Sequence, residues 1–261
     1  MKLSIITVNL NNREGLQRTI DSVICQTFRD FEWIVIDGGS TDGSRELIEQ
    51  YADHFAYWVS EPDKGIYNAM NKGIKVAKGE YLQFLNSGDW LWESSTLEKI
   101  FSIQHGEDIV YGNWIQKDGT LFSAPHKLDA IYFFRSTLSH QAVFIKSDLF
   151  SHELYDESLH IASDWKHLLS CIVIENHSYK ALDITIIGEQ PGESYDSRKV
   201  GIEREKVLNE IFPPMIHESL ELLASIKDNS MHSCYEYIEQ YPALKKLVRR
   251  IVKLNKMLHR S

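Results

Sequence analysis

The first ~110 residues alternate short apolar runs with amphipathic stretches, and that alternation confines the chain to βαβ units around a parallel sheet. Leu3 to Val8 reads as the first strand. A polar turn, Asn9 to Glu14, leads into a helix from Leu16 to Gln26, with Ile20, Val23 and Ile24 on one face. Phe31 to Ile36 predicts the second strand, which ends at Asp37-Gly38-Gly39-Ser40-Thr41-Asp42-Gly43, and a helix opens near Ser44. Phe55 to Val59 predicts the third strand. Ile66, Tyr67, Met70, Ile74 and Ala77 then recur at helical spacing, closed by Gly79. The next strand, Tyr81 to Leu85, runs into Asn86-Ser87-Gly88-Asp89. It delivers an expected exposed carboxylate to the carboxyl edge of the sheet, where open α/β sheets place ligands.

Beyond residue 110 the pattern loosens. Gln141 to Ile145 predicts a buried strand, and Asp164 opens a helix whose apolar face carries Trp165, Leu168, Leu169 and Ile172. Ile184 to Ile187 predicts a last strand. Gln190 to Lys199, which includes Ser194, reads as a polar loop. From Gly201 the chain reads as helices interrupted by Pro213-Pro214 and Pro242. The expected organisation is one unit over 1–200, divided near 110, and a helical extension over 201–261.

The net charge of −9 hides an asymmetry. Lys245, Lys246, Arg249, Arg250, Lys253, Lys256 and Arg260 give the last twenty residues +7 with no acid, so the rest of the chain carries −16. An acidic body argues against nucleic acid as a partner. Leu244, Leu247, Val248, Ile251, Leu254 and Leu258 give 243–260 the spacing of a basic amphipathic helix. Such a helix suits an anionic membrane surface, a homodimer contact or docking on its own acidic body. No run approaches the ~20 apolar residues of a membrane span. Cys25, Cys171 and Cys234 are isolated, so neither a zinc site nor a disulfide framework is indicated. Cys25 and Cys171 are expected to be buried, and a reducing cytoplasm fits all three.

Gly38 to Ser44 nearly matches the phosphate-loop spacing, but Ser44 stands where the lysine must be. No G-x-G-x-x-G is present, so ATPase and dinucleotide sites are both set aside. The remaining candidates stand at the carboxyl ends of predicted strands. Asp37 accepts from a base or ribose, or merely closes a tight turn. Asp63 and Lys64 line the same edge, or are a helix-start carboxylate and a solvated cation. Asn71 reaches a ligand or ties two loops. Asp89, with two phosphates, would suffice for Mg²⁺ or Mn²⁺, which complete their shells with substrate oxygens and water.

Ser4-Ile5-Ile6-Thr7-Val8-Asn9, Gln26-Thr27-Phe28, Asp37 to Gly43, Asn71-Lys72-Gly73, Lys78-Gly79-Glu80-Tyr81 and Ser87-Gly88-Asp89 together resemble glycosyltransferase family 2. The resemblance covers about residues 1 to 190. It implies an α/β fold of the GT-A type, a Rossmann-like, mostly parallel sheet flanked by helices. It also implies a nucleotide-sugar donor such as a UDP-sugar, Mn²⁺ or Mg²⁺, and inversion at the anomeric carbon. The acceptor would be a saccharide or lipid-linked saccharide in surface polysaccharide synthesis, on the cytoplasmic side.

Carried over position by position, the resemblance puts Thr7, Asp37 and Asp63 at the donor, and the loops at the same sheet edge add Asn9, Gly38, Lys64, Asn71, Ser87 and Gly88 as donor candidates. Asp89 becomes the metal ligand and Asp164 the general base, because an attacking hydroxyl must lose its proton. His140-Gln141 also resembles a family feature, with the diphosphate, the metal or the acceptor open to it or a packed histidine as the alternative; Arg198, in the polar loop, closes over the diphosphate or is merely solvated. Ser87 replaces the first acid of the D-x-D metal motif, Gly38 the second acid after strand two, and Ser163 the acid before the base. The serines at 87 and 163 keep open a non-catalytic nucleotide-sugar-binding subunit.

Overall fold

A computed structural model of the chain describes residues 1–103, 106–116, 118–189, 197–228, 241 and 245–246. β1 (Leu3–Asn9), α1 (Arg13–Ile24), β2 (Phe31–Asp37), α2 (Ser44–Gln50), β3 (Tyr57–Ser60), α3 (Ile66–Val76) and β4 (Tyr81–Phe84) succeed one another as the alternation predicts. β5 (Trp90–Leu91), α4 (Thr96–Ser102), β6 (Ile109–Gln116), β7 (Leu121–Phe122), α5 (Ala130–Arg135) and β8 (Val143–Lys146) follow. α6 (Ser163–Leu169), β9 (Tyr179–Glu189), α7 (Ser197–Ile211) and α8 (Pro214–Asp228) come last.

The strands form one sheet in the order β3-β2-β1-β4-β8-β6-β9-β5, with β7 paired to β6. β3, β2, β1 and β4 are all parallel. The order reverses at β1, which has β2 on one side and β4 on the other. That reversal opens a crevice at the carboxyl ends, which here are Asn9, Asp37 and the 86–89 loop. Beyond β4 the sheet is mixed. β8 runs antiparallel to β4 and β6, while β9 runs parallel to β6 and antiparallel to β5. Strand direction leaves no mark on side-chain periodicity, so the mixed half lay beyond the sequence pattern.

All seven residues of β1 are buried because the strand is central and covered on both faces. Leu3 and Ile5 pack with Leu16, Ile20 and Val23 of α1, and Ile6 and Val8 with Tyr67 and Met70 of α3. The period of two along β1 therefore separates a layer of α1 and α2 from a layer of α3 and α6.

Three boundaries differ from expectation. The predicted strand from Gln141 is a 3₁₀ turn over His140–Ala142 before β8 begins at Val143. The predicted strand at 184–187 extends over Tyr179–Glu189. The expected domain limit at 200 falls inside α7, whose Val207 and Leu208 belong to the main core. Glu203 of α7 also accepts from His160 N (2.8 Å), Ile161 N (2.9 Å) and Ala162 N (3.1 Å), which bridges α7 to the segment entering α6. Of the expected polar loop, Ser197 onward is helical, so Arg198 and Lys199 sit on α7; residues 190–196, Ser194 among them, lie outside the described residues. The predicted basic helix over 243–260 also lies outside them except for Lys245 and Lys246, as does Cys234. Cys171 is buried as expected, whereas Cys25 is exposed because it falls just past the last turn of α1. Among the described residues no helix is long and apolar enough to cross a membrane.

Candidate active site

β4 leads into a loop gripped from beneath by α1. Thr19 Oγ1 donates to Asp89 O at 2.7 Å and accepts from Gly88 N at 3.0 Å. Asn12 Nδ2 donates to Ser87 O at 2.9 Å, and Arg18 Nη1 to Gly88 O at 3.3 Å. Gly88 has φ +107°, a backbone state that glycine adopts without a Cβ clash. The chain thereby reverses one residue before Asp89. Asp89 is not the exposed carboxylate expected: it is 5% exposed, because the His140–Ala142 turn closes over it. Its Oδ2 accepts from Gln141 Nε2 at 2.9 Å. Ser139 Oγ donates to Gln141 Oε1 at 2.7 Å, which fixes the amide with its nitrogen toward Asp89.

The neighbouring residue of that turn reaches the proposed base. His140 Nδ1 lies 3.0 Å from Asp164 Oδ2, and both side chains are 14% exposed. His140 Nε2 meets Asn86 Nδ2 at 3.1 Å. Tyr67 OH, from the first turn of α3, donates to Asp164 Oδ1 at 2.7 Å. Burial acts to raise the Asp164 carboxyl, but the hydrogen bonds from His140 and Tyr67 outweigh it and hold the group below the usual carboxylate range. For His140, burial acts downward, and its bond to the Asp164 charge more than reverses that, leaving the imidazole raised. Two adjacent residues, His140 and Gln141, thus link Asp164 to Asp89. Ser163, which stands where the resemblance has an acid, is buried and accepts from Asp156 N at 2.6 Å. It braces the loop before Asp164.

The donor side departs further from expectation. Thr7 is fully buried, and its hydroxyl accepts from Trp33 Nε1 at 3.0 Å, in the α1 layer and away from the crevice. Asp37 is also fully buried, with its carboxylate turned inward. It accepts from Asn9 Nδ2 (2.7 Å), Ser60 Oγ (2.6 Å), Ser40 Oγ (2.5 Å), Ser40 N (2.9 Å) and Gly39 N (3.2 Å). Burial would raise its pKa, but these bonds overcome it and leave Asp37 lowered. Asp37 and Asn9 therefore shape the Gly38–Ser40 turn. Asn71 ties loops together. Its amide donates to Tyr155 O at 2.9 Å and Glu157 Oε1 at 3.0 Å, and accepts from Tyr155 N at 3.0 Å.

Asp63 takes the place left by these residues. It is half-buried, and its Oδ1 accepts from Gly65 N at 2.8 Å. A Cβ on Gly38 would stand 2.5 Å from Asp63 Oδ2, so the glycine makes the space that this carboxylate fills. Lys64 is exposed beside it, and Arg198 is exposed on the first turn of α7. Tyr67, Thr19 and Asn12 were missed as site residues. Tyr67 counted only as an apolar-face residue, yet a phenol at a helix start beside Asp63-Lys64-Gly65 was a visible signal. Thr19, a hydroxyl between Leu16 and Ile20 on the apolar face of α1, was another.

Among the described residues no three His, Cys, Asp or Glu side chains converge as a metal cage. Asp89 brings one hard oxygen ligand, and the same loop buries Asn86 Oδ1 without a hydrogen-bond partner. That donor set fits a divalent ion of the Mg²⁺ or Mn²⁺ type, which takes most of its shell from phosphates and water.

The glycosyl transferase family 2 model matches residues 4–163. A PGL/p-HBAD biosynthesis glycosyltransferase from Mycobacterium bovis is 33% identical over 176 residues, spanning 64% of this chain and 68% of that protein. Glycosyltransferase GlyA of Streptococcus pneumoniae is 27% identical over 79% of this chain but only 29% of its own length. In fold, the chain is similar to S. aureus TarS 1-349 in complex with UDP-GlcNAc (TM-score 0.62, 21% identity, 74% of this chain and 60% of that one). It is also similar to the mannosyltransferase PcManGT from Pyrobaculum calidifontis in complex with GDP-Man and Mn²⁺ (TM-score 0.64, 13% identity, 97% of this chain and 80% of that one). A mixed sheet flanked by helices is the GT-A architecture of these neighbours. The chain belongs to glycosyltransferase family 2, and it is therefore an enzyme of the glycosyl-transfer class.

Proposed function

We propose that the protein transfers a hexosyl unit, with inversion, from a nucleoside-diphosphate sugar, a UDP-sugar in the first instance, to a saccharide or lipid-linked saccharide acceptor. The observation that carries this reading is the Asp164 carboxylate, recessed but reachable, held ionised by His140 and Tyr67 and linked through the His140–Gln141 turn to Asp89. The acceptor oxygen attacks the anomeric carbon, its proton passes to Asp164, and the bond to the diphosphate breaks with its electron pair leaving on the diphosphate. One displacement, with the base on the face opposite the leaving group, inverts the centre. Asp63, Lys64 and the turn shaped by Asp37 receive the nucleoside, and Ser87 and Gly88 border the diphosphate. A divalent ion, Mn²⁺ or Mg²⁺, held by Asp89 would offset charge on the leaving diphosphate. The complexes of the neighbours TarS and PcManGT, with UDP-GlcNAc and with GDP-Man and Mn²⁺, support a nucleotide-sugar donor and a divalent ion.

The ordered contacts around Asp164 favour catalysis over a role confined to binding. Asp164→Asn keeps the shape of the side chain and removes the base. Transfer is expected to fall by roughly 10²–10⁴-fold, while calorimetry shows donor binding unchanged. Retained turnover would refute the reading. The basic carboxyl-terminal segment supports work at the cytoplasmic face of an anionic membrane, where a lipid-linked acceptor would be met.

A further inference from the structure

The geometry points to Tyr67 as a positioning residue that locks the carboxylate plane of Asp164 from the donor side of the cleft. This rests on the reading of Asp164 as the base. The two oxygens of Asp164 are held from different halves of the molecule. Oδ1 takes the Tyr67 hydroxyl at 2.7 Å, across 97 positions of sequence, and Oδ2 faces His140 Nδ1 at 3.0 Å. A carboxylate anchored at one oxygen still swings about its Cβ–Cγ bond; anchored at both, it presents its remaining lone pairs in fixed directions. Tyr67 can serve as such an anchor because it is itself immobile. It is 5% exposed, and its ring packs against Tyr155 with centroids 5.5 Å apart.

The phenol has no proton to give in the reaction. Burial, and then the Asp164 charge, push it far above the usual tyrosine range, so it remains a donor throughout. Its place in the chain gives the contact a second meaning. Tyr67 stands two residues after Gly65, whose amide binds Asp63, so one turn of α3 carries both the donor-side carboxylate loop and the anchor of the base. The other titratable and charged groups facing Asp164 are His140 from the 3₁₀ turn, Tyr155 from the preceding loop, His167 from α6 itself and Arg204 from α7, while Asp89 and Glu189 face His140. Of these groups Tyr67 and His140 hydrogen-bond the carboxylate through their side chains, beside the backbone N–H of Trp165.

Tyr67→Phe keeps the ring and removes only the hydroxyl. With one donor lost, ionised Asp164 is less favoured, and the acid limb of kcat/KM for the acceptor is expected to move up by about one pH unit, a tenfold loss on that limb. The donor KM stays where it was. Incorporating 2,3-difluorotyrosine at 67 preserves the packing and strengthens the donor, and should move the limb down. A residue that only packed would alter thermal stability or donor KM and leave the limb in place. An unmoved limb in both variants, with Asp164→Asn inactive, overturns the inference and spares the base; an active Asp164→Asn overturns both.

Discussion

Gly38 shows how an absent side chain can define a pocket. The Asp63 carboxylate occupies the space that a Cβ at 38 would need, at 2.5 Å, so an acid at 38 would displace the Asp63 carboxylate and place a like charge beside it. Gly38→Asp is therefore expected to weaken nucleotide binding by moving the Asp63 carboxylate from its place. Calorimetry with UDP checks this, and an unchanged Kd would show that Asp63 does not line the donor pocket. The places of Asp89 and Asp164 in the fold were legible in the sequence because each stands at a strong local signal, a buried strand in one case and a helix start in the other. Thr7, Asp37 and Asn71 have structural ties that the sequence did not announce, for one shared reason. Position at a strand end or a helix face says which layer a polar side chain enters, not whether the protein's own donors already satisfy it. Trp33 takes Thr7, five internal donors take Asp37, and the Tyr155 backbone takes Asn71.

At the scale of elements, the first half of the sheet was readable because βαβ units repeat a simple period, whereas the second half is joined by contacts that no period announces. Asp108, at the start of β6, accepts from Lys146 Nζ of β8 at 3.0 Å and from Ser178 Oγ, just before β9, at 2.7 Å. Burial works to raise its carboxyl, yet the bonds from Ser178 and Lys146 prevail and hold it at about 2. Asp156, before α6, is likewise held at about 2: burial acts upward, but the bonds from Ser158 and Lys166 win. Both folded values lie below the ordinary 3.8, so their stabilisation is complete above that value and is lost as pH falls through about 2. Thermal melts from pH 5 to pH 2 should show Tm falling, and Asp108→Asn should flatten the decline. A variant that declines as steeply as the parent would remove Asp108 from this account.

For the whole molecule, charge is divided between an acidic body and a basic end, −16 against +7 within the total of −9. Each Lys or Arg at an anionic surface is worth about 1 kcal/mol, enough for seven of them to hold a protein there reversibly. A chain lacking residues 242–261 is expected to lose sedimentation with phosphatidylserine vesicles while retaining transfer to a water-borne acceptor. Undiminished sedimentation would place any membrane contact elsewhere.

Glu203 carries a consequence for where the enzyme ends. The family match stops at residue 163, one position short of Asp164, and the last strand stops at Glu189. Neither is a workable terminus. The three amide protons of 160–162 that lead into the base converge on a carboxylate some forty residues downstream, much as a helix start is closed by a capping acid. A polypeptide trimmed at the sheet would leave those amides uncapped and strip Val207 and Leu208 from the core. The segment entering Asp164 is therefore held in register by α7, through a single glutamate outside the matched segment.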